Sequence, residues 1–61
     1  MKRKDLIRHL ELNKCEFLRE GANHTVYVNR KKGKASTVPR HRELDECLVI
    51  KICKDLEIPK P

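Results

Sequence analysis

The sequence predicts an α+β fold with the element order α-β-β-β-α, in which a three-stranded antiparallel sheet carries two helices on one face. Apolar residues recur at helical spacing in two stretches, residues 2–13 and residues 44–57. The stretch between them is rich in strand-forming residues and is interrupted by turn residues. Each predicted helix has one apolar stripe, so the economical packing places both helices on the same face of the sheet.

The chain length of 61 residues indicates a single small domain, residues 1–61. A chain of this size buries only about 60% of the surface that its unfolded form exposes, so a shallow surface groove suits it better than an enclosed site. No apolar run approaches the roughly 20 residues of a membrane span. The basic start, Met1–Lys4, lacks the apolar region of a signal peptide, and we expect no contact with membranes.

The three cysteines, Cys15, Cys47 and Cys53, point to a reducing compartment. An odd count argues against a closed disulfide framework and favours a cytoplasmic location. Their spacing matches no familiar zinc pattern, even when His24 and His41 are included, so we predict no metal site and no cofactor. Cys53 falls on the apolar side of the second predicted helix and should behave as a small hydrophobic residue.

The first predicted helix covers residues 2–13. Its apolar side consists of Leu6, Ile7 and Leu10. Asn13 is a candidate for a left-handed C-cap. The cations of Lys2–Lys4 lie at the helix N-terminus, where the helix dipole disfavours positive charge. Two interpretations stay open: phosphate contact offsets this cost, or the helix end is frayed and solvated.

The predicted strands cover residues 15–20, 24–29 and 34–38. Residues 30–33 form the hairpin turn between the second and third strands, in which Gly33 is free to adopt a positive φ. Pro39 ends the third strand because proline cannot donate to the ladder.

The side-chain alternation of the second strand is expected to turn its two valines, Val26 and Val28, toward the core. His24 has the same parity but is the first residue after a turn, where the ladder is not yet regular. We therefore expect His24 at the rim of the core, partly exposed, and not on the open face of the sheet.

The second predicted helix covers residues 44–57. Its apolar ridge consists of Leu44, Leu48, Ile52 and Leu56, with Val49 and Cys53 beside it. Ile50 lies on the opposite, polar side. It is either an ordinary exposed residue or, together with Cys47, a contact for a partner.

The excess of positive charge is confined to one part of the chain. Between Gly21 and Arg42 there is no aspartate or glutamate, and the segment holds six cations: Arg30, Lys31, Lys32, Lys34, Arg40 and Arg42. The net charge of the whole chain is +6, so the remaining residues are balanced overall. Segregation of this kind is typical of a surface that binds a polyanion.

His24 heads the most strand-like part of this basic segment, beside a turn that contains Gly21 and Asn23. A rigid strand end next to a flexible backbone is a good position for a residue that meets a ligand. RNA carries its own nucleophile, the 2′-OH, so a metal-free ribonuclease needs a base for that proton and cations for the phosphorane. It also needs an acid for the leaving 5′-oxygen, or water in that role. Histidine is the natural base near neutral pH, and lysine and arginine supply the charge.

These considerations make His24 a candidate for the catalytic base, although a lone histidine is more often structural than catalytic. The predicted RNA-binding residues are Tyr27, Lys31, Lys32, Lys34, Arg40, His41 and Arg42. Tyr27 offers a face on which a base can stack, an interaction worth about 1–3 kcal/mol. His41 is a second titrating group, a phosphate contact or a turn residue, and we favour the last two roles.

Two groups of residues resemble the signature of HicA-type toxins. They are Gly21, Ala22, Asn23, His24 and Tyr27, followed by Val38-Pro39-Arg40-His41-Arg42-Glu43-Leu44 before the final helix. The resemblance covers nearly all of the chain. Neither motif is very specific alone, but their order on a short α-β-β-β-α chain is fairly specific.

The resemblance implies a fold similar to double-stranded-RNA-binding domains. It also implies an mRNA interferase of a type II toxin–antitoxin system, held inactive by a HicB antitoxin. The family's catalytic histidine corresponds to His24. Many members have serine just before that histidine where this chain has Asn23. Asparagine also forms hydrogen bonds, so this departure does not imply a loss of activity.

Two other classes of function are compatible with the residues. One is an RNA-binding module of the same fold without catalytic activity. The other is a protein-interaction domain whose basic segment docks an acidic partner.

Overall fold

The computed structural model describes residues 1–61 and has the predicted order of elements. Helix α1 covers Arg3–Leu12 and helix α2 covers Glu46–Asp55. The strands are β1, Glu16–Glu20, β2, His24–Asn29, and β3, Lys34–Pro39. They form one antiparallel sheet in the order β1-β2-β3, so β2 is the central strand. The predicted α+β fold, a three-stranded antiparallel sheet with two helices, is confirmed.

Both helices are shorter than the apolar periodicity predicts. Asn13 is the C-cap of α1 but has φ −97°, and the left-handed residue is Lys14 with φ 66°. Asn13 instead satisfies the helix end with its side-chain amide, which donates to the His9 carbonyl at 2.9 Å. Leu44 precedes α2, and its N–H donates to the Met1 carbonyl at 2.8 Å. Neither helix combines the length and the apolar composition that crossing a membrane requires.

The core lies between the two helices and one face of the sheet. Its fully buried side chains are Leu6, Leu10, Val38, Ile52, Cys53 and Leu56. All three cysteines are free, and Cys15 and Cys53 are buried. Burial raises the pKa of both buried thiols. This environment confirms the prediction that Cys53 behaves as a small hydrophobic residue.

The prediction of which face of β2 is buried is wrong, because the alternation is shifted by one residue. Thr25, Tyr27 and Asn29 are buried, whereas Val26 and Val28 are half-buried on the opposite face. His24 is exposed on that open face. The prediction that His24 lies at the rim of the core and off the open face is therefore also wrong. Because side chains alternate along a strand, one change of parity moves every member of the strand to the other face.

The buried face of β2 is stable because its polar groups have partners. The Asn29 amide donates to the Leu56 carbonyl at 2.7 Å, and the Thr25 hydroxyl donates to the Glu20 carboxylate at 2.6 Å. Tyr27 contributes a larger apolar area to the core than either valine does. Satisfied hydrogen bonds remove the cost that burial of polar groups otherwise carries.

Candidate functional site

His24 lies at the end of the central strand, where the chain leaves a tight turn. The Gly21 N–H donates to the His24 carbonyl at 2.7 Å and closes this turn. A Cβ on Gly21 would lie 3.3 Å from the same carbonyl, so the closure is tight even for a small side chain. His24 pairs with Pro39, the last residue of β3. The residues that follow Pro39 therefore begin beside the histidine.

Three of the predicted site residues meet in one place. His24, Arg40 and His41 line an open depression of about 430 Å³, together with Ala22 and Asn23. All five side chains are exposed. Two imidazoles and one guanidinium therefore face a surface site that can admit a phosphodiester.

A chain of hydrogen bonds holds the turn that carries the histidine. Arg40 donates to the Gly21 carbonyl at 2.8 Å and pairs with the Glu20 carboxylate at 2.9 Å. Glu20 also accepts the Thr25 hydroxyl, and that hydroxyl accepts from the Arg3 guanidinium at 2.8 Å. Arg40 thus fixes the geometry of the site, and its charge is partly neutralised by Glu20.

A second depression adjoins the first and is lined by cations only. Its residues are Lys2, Arg3, Lys4, Arg40 and Arg42, around a volume of about 360 Å³. Arg40 lines both depressions, so the two are neighbours on the surface. None of the five ion pairs in the structure involves Lys2, Lys4 or Arg42. Their positive charges are therefore available to an anionic ligand.

The N-terminal cations are held in place by the segment that follows β3. The Arg3 N–H donates to the Arg42 carbonyl at 2.9 Å, and its guanidinium donates to the Pro39 carbonyl at 2.8 Å. Lys2 and Glu43 form an antiparallel bridge. These bonds anchor the backbone of the helix end, while the side chains of Lys2 and Lys4 are exposed. In the sequence, Lys2 and Lys4 stood out because cations at a helix N-terminus oppose the helix dipole. Which residues lie near them in space could not be inferred from the sequence.

The lysines of the hairpin turn lie at the other end of the sheet. β2 and β3 pair from His24↔Pro39 to Asn29↔Lys34, so these ends are about 17 Å apart at the usual rise of a strand. Lys34 pairs with Glu57 at 3.7 Å, whereas Lys31 and Lys32 are exposed without such a partner. Gly33 has φ 67°, as predicted for the turn. The basic segment of the sequence therefore forms two separate surfaces.

Tyr27 does not belong to either surface. Its side chain is 7% exposed, and its ring contacts Phe17 edge-to-face with centroids 6.3 Å apart. Burial raises the pKa of its phenol, and the Glu11 carboxylate adds to this effect. The prediction that Tyr27 stacks on an RNA base is wrong, because the parity of β2 turns the ring into the core.

One of three comparisons with known proteins gave a match. The family model described as HicA toxin of bacterial toxin-antitoxin matches residues 3–58. Neither the curated proteins nor the solved structures gave a match. The matched range includes both helices, the whole sheet and every lining residue of the two depressions except Lys2. The chain therefore belongs to the HicA toxin family of bacterial toxin–antitoxin systems.

Proposed function

We propose that this toxin is a metal-independent endoribonuclease that cleaves mRNA at the depression of His24, Arg40 and His41. The observation that carries the proposal is that two features are neighbours. An exposed histidine at a rigid strand end lies in a depression that shares Arg40 with a cluster of cations, of which Lys2, Lys4 and Arg42 form no ion pair. The first feature suits proton transfer, and the second suits a phosphate backbone.

In the proposed reaction the 2′-OH of one nucleotide attacks its own 3′-phosphate. His24 accepts the 2′-OH proton, and the bond between phosphorus and the 5′-oxygen breaks. The products are a 2′,3′-cyclic phosphate and a 5′-OH end. Arg40 and Arg42 stabilise the extra negative charge of the phosphorane. Arg40 is well placed for this because Gly21 and Glu20 already hold its guanidinium in position.

The direct test is incubation of the purified toxin with single-stranded RNA in EDTA, followed by analysis of the new ends. We expect 2′,3′-cyclic phosphate and 5′-OH ends, formed by the wild type and lost in His24→Ala. RNA that stays intact but bound would instead support the RNA-binding module without catalytic activity. A toxin that retains no RNA and binds an acidic protein would instead support a protein-interaction domain.

The cation cluster makes a specific prediction about salt dependence. For single strands, the logarithm of affinity falls with the logarithm of salt by about 0.7 per phosphate contact. If Lys2 and Lys4 each bind one phosphate, Lys2→Ala/Lys4→Ala should reduce the magnitude of that slope by about 1.4. The fold should persist, because cations at a helix N-terminus oppose the helix dipole.

The matched control for this measurement is Lys31→Ala/Lys32→Ala, which removes two exposed lysines at the far end of the hairpin. With a short RNA that spans only the His24 depression, this variant should leave the slope unchanged. With a longer RNA it should reduce the slope, if the strand continues to the turn. A slope that depends only on Lys31 and Lys32 would place the RNA away from His24.

The HicA family implies an antitoxin partner. We propose that the antitoxin covers His24 and the adjoining cations, by acidic groups or by steric occlusion, because inhibition must deny RNA both the base and the phosphate contacts. The alternative contact is the outer side of α2, where Ile50 is 44% exposed and Cys47 is exposed.

Cys47 provides the measurement that separates these two interfaces. Cys15 and Cys53 are buried, so iodoacetamide should report mainly on Cys47. In the complex with the cognate antitoxin, we expect the imidazole NMR signals of His24 and His41 to shift while Cys47 keeps its reactivity. Unshifted imidazoles together with a protected Cys47 would place the antitoxin on α2, and inhibition would then act through conformation.

A further inference from the structure

We propose that His41 is the proton donor to the 5′-oxygen in RNA cleavage, so that the reaction uses two histidines. This inference rests on the proposed ribonuclease function and assigns the acid that His24 alone does not provide. It starts from the observation that His24 and His41 line the same depression although they come from different segments. His24 opens β2, and His41 lies two residues beyond its pairing partner, Pro39.

The geometry of phosphoryl transfer places the two proton transfers on opposite sides of phosphorus. The attacking and leaving oxygens lie roughly in line, on opposite sides of phosphorus. One side chain therefore cannot readily serve both oxygens in a single step. A depression that presents two imidazoles from different segments, with Arg40 as a third lining residue, supplies a base, an acid and a charge stabiliser.

The remaining polar groups of the depression do not offer a better acid. Arg40 does not release its proton in proteins, and it is engaged by Gly21 and Glu20. Asn23 carries no proton that it can transfer in this way. His41 is exposed and is the one lining residue besides His24 whose side-chain type commonly serves as a general acid or base.

In the proposed step, the bond between the 2′-oxygen and phosphorus forms as the bond to the 5′-oxygen breaks. Neutral His24 takes the 2′-OH proton, and protonated His41 gives its proton to the departing 5′-oxygen. One proton is accepted and one is donated, and no electrons are transferred to or from the protein. After product release, proton exchange with water restores both imidazoles.

A substrate with sulfur at the departing 5′ position tests this role. The cleavage position is first mapped on a short RNA, and the 5′-oxygen there is replaced by sulfur. A thiolate leaves without protonation, so cleavage of this substrate does not need an acid. His41→Ala should slow the oxygen substrate by about 10²–10⁴-fold, as expected for loss of a general acid, and should slow the sulfur substrate only slightly.

Three other variants complete the comparison. His24→Ala should slow both substrates, because each still requires a base. Arg42→Ala should slow both substrates to the same extent, because it removes a phosphate contact and leaves proton transfer intact. A second variant, His41→Gln, keeps a polar side chain of similar size and should reproduce the selective loss. Thermal unfolding of each variant verifies that the fold is retained.

Three outcomes would overturn the inference. Wild-type cleavage of the oxygen substrate by both His41 variants would exclude His41 from the chemistry, while the proposed function would stand on the loss in His24→Ala. Equal losses with oxygen and sulfur would make His41 a phosphate contact. If the wild type cleaves neither substrate, the proposed function fails and the role of His41 fails with it.

Discussion

His24→Ala is expected to reduce RNA cleavage by about 10²–10⁴-fold, the usual effect of removing a general base, and to leave RNA binding nearly unchanged. The imidazole is exposed at the start of β2 and lies outside the buried core. Its loss therefore removes the base without opening a cavity. Phosphate contacts supply most of the affinity, and Lys2, Lys4 and Arg42 remain in place.

Single-turnover cleavage and equilibrium binding, measured on the same RNA, separate the two effects. The matched control is His9→Ala, which removes a histidine that lies outside both depressions. His9 contacts the Pro59 carbonyl at 2.7 Å, so its variant should cleave at the wild-type rate with a small change in stability at most. Cleavage by His24→Ala at the wild-type rate would refute the catalytic role.

The second large effect concerns the fold. Tyr27→Ala is expected to lower the free energy of unfolding by about 3–5 kcal/mol, the range for removing a large buried aromatic side chain. The ring is part of the core formed by both helices and the sheet. A loss of this size is a large share of the 5–15 kcal/mol that stabilises a typical domain, and a chain of 61 residues has a thin margin. Much of the protein should therefore unfold.

The comparison with Tyr27→Phe tests whether the ring of Tyr27, and not its hydroxyl, supplies the stability. Phenylalanine keeps the buried ring, so this variant should fold and bind RNA as the wild type does. Phe17→Ala removes the exposed partner ring and should cost about 0.5–1.5 kcal/mol, the range for an aromatic pair. Urea unfolding and RNA titration measure these quantities. A fully folded Tyr27→Ala whose RNA affinity falls by about 1–3 kcal/mol would instead restore the stacking role.

Local patterns were sufficient for the element order and for placing His24 at the start of β2. Helical periodicity identified α1 and α2, and strand-forming residues around Gly33 identified the β2–β3 hairpin. Helix ends were less well predicted, because apolar spacing continues beyond the hydrogen-bonded turns. Leu44 and Leu56 are buried in the core although both lie outside the α-helical turns of α2.

The alternation of residues along β2 does not determine which of its two faces is buried. Val26 and Val28 are more apolar than Thr25 and Asn29, and the sequence therefore favoured the valines as core residues. The tertiary structure reverses this choice, because Leu56 and Glu20 satisfy the buried polar groups and Tyr27 fills the core. These partners are distant along the chain, and only their arrangement in space makes burial of the polar face favourable.

The sequence by itself determined that the net positive charge of this protein lies in one segment, which also contains a histidine at the start of a strand. Only the tertiary structure decided which cations accompany that histidine. Antiparallel pairing carries Lys31 and Lys32 to the far end of the hairpin, about 17 Å away at the usual rise of a strand. Backbone bonds between Arg3 and Arg42 bring Lys2 and Lys4 into their place. Chain topology, and not proximity along the sequence, sets which charges a ligand meets together.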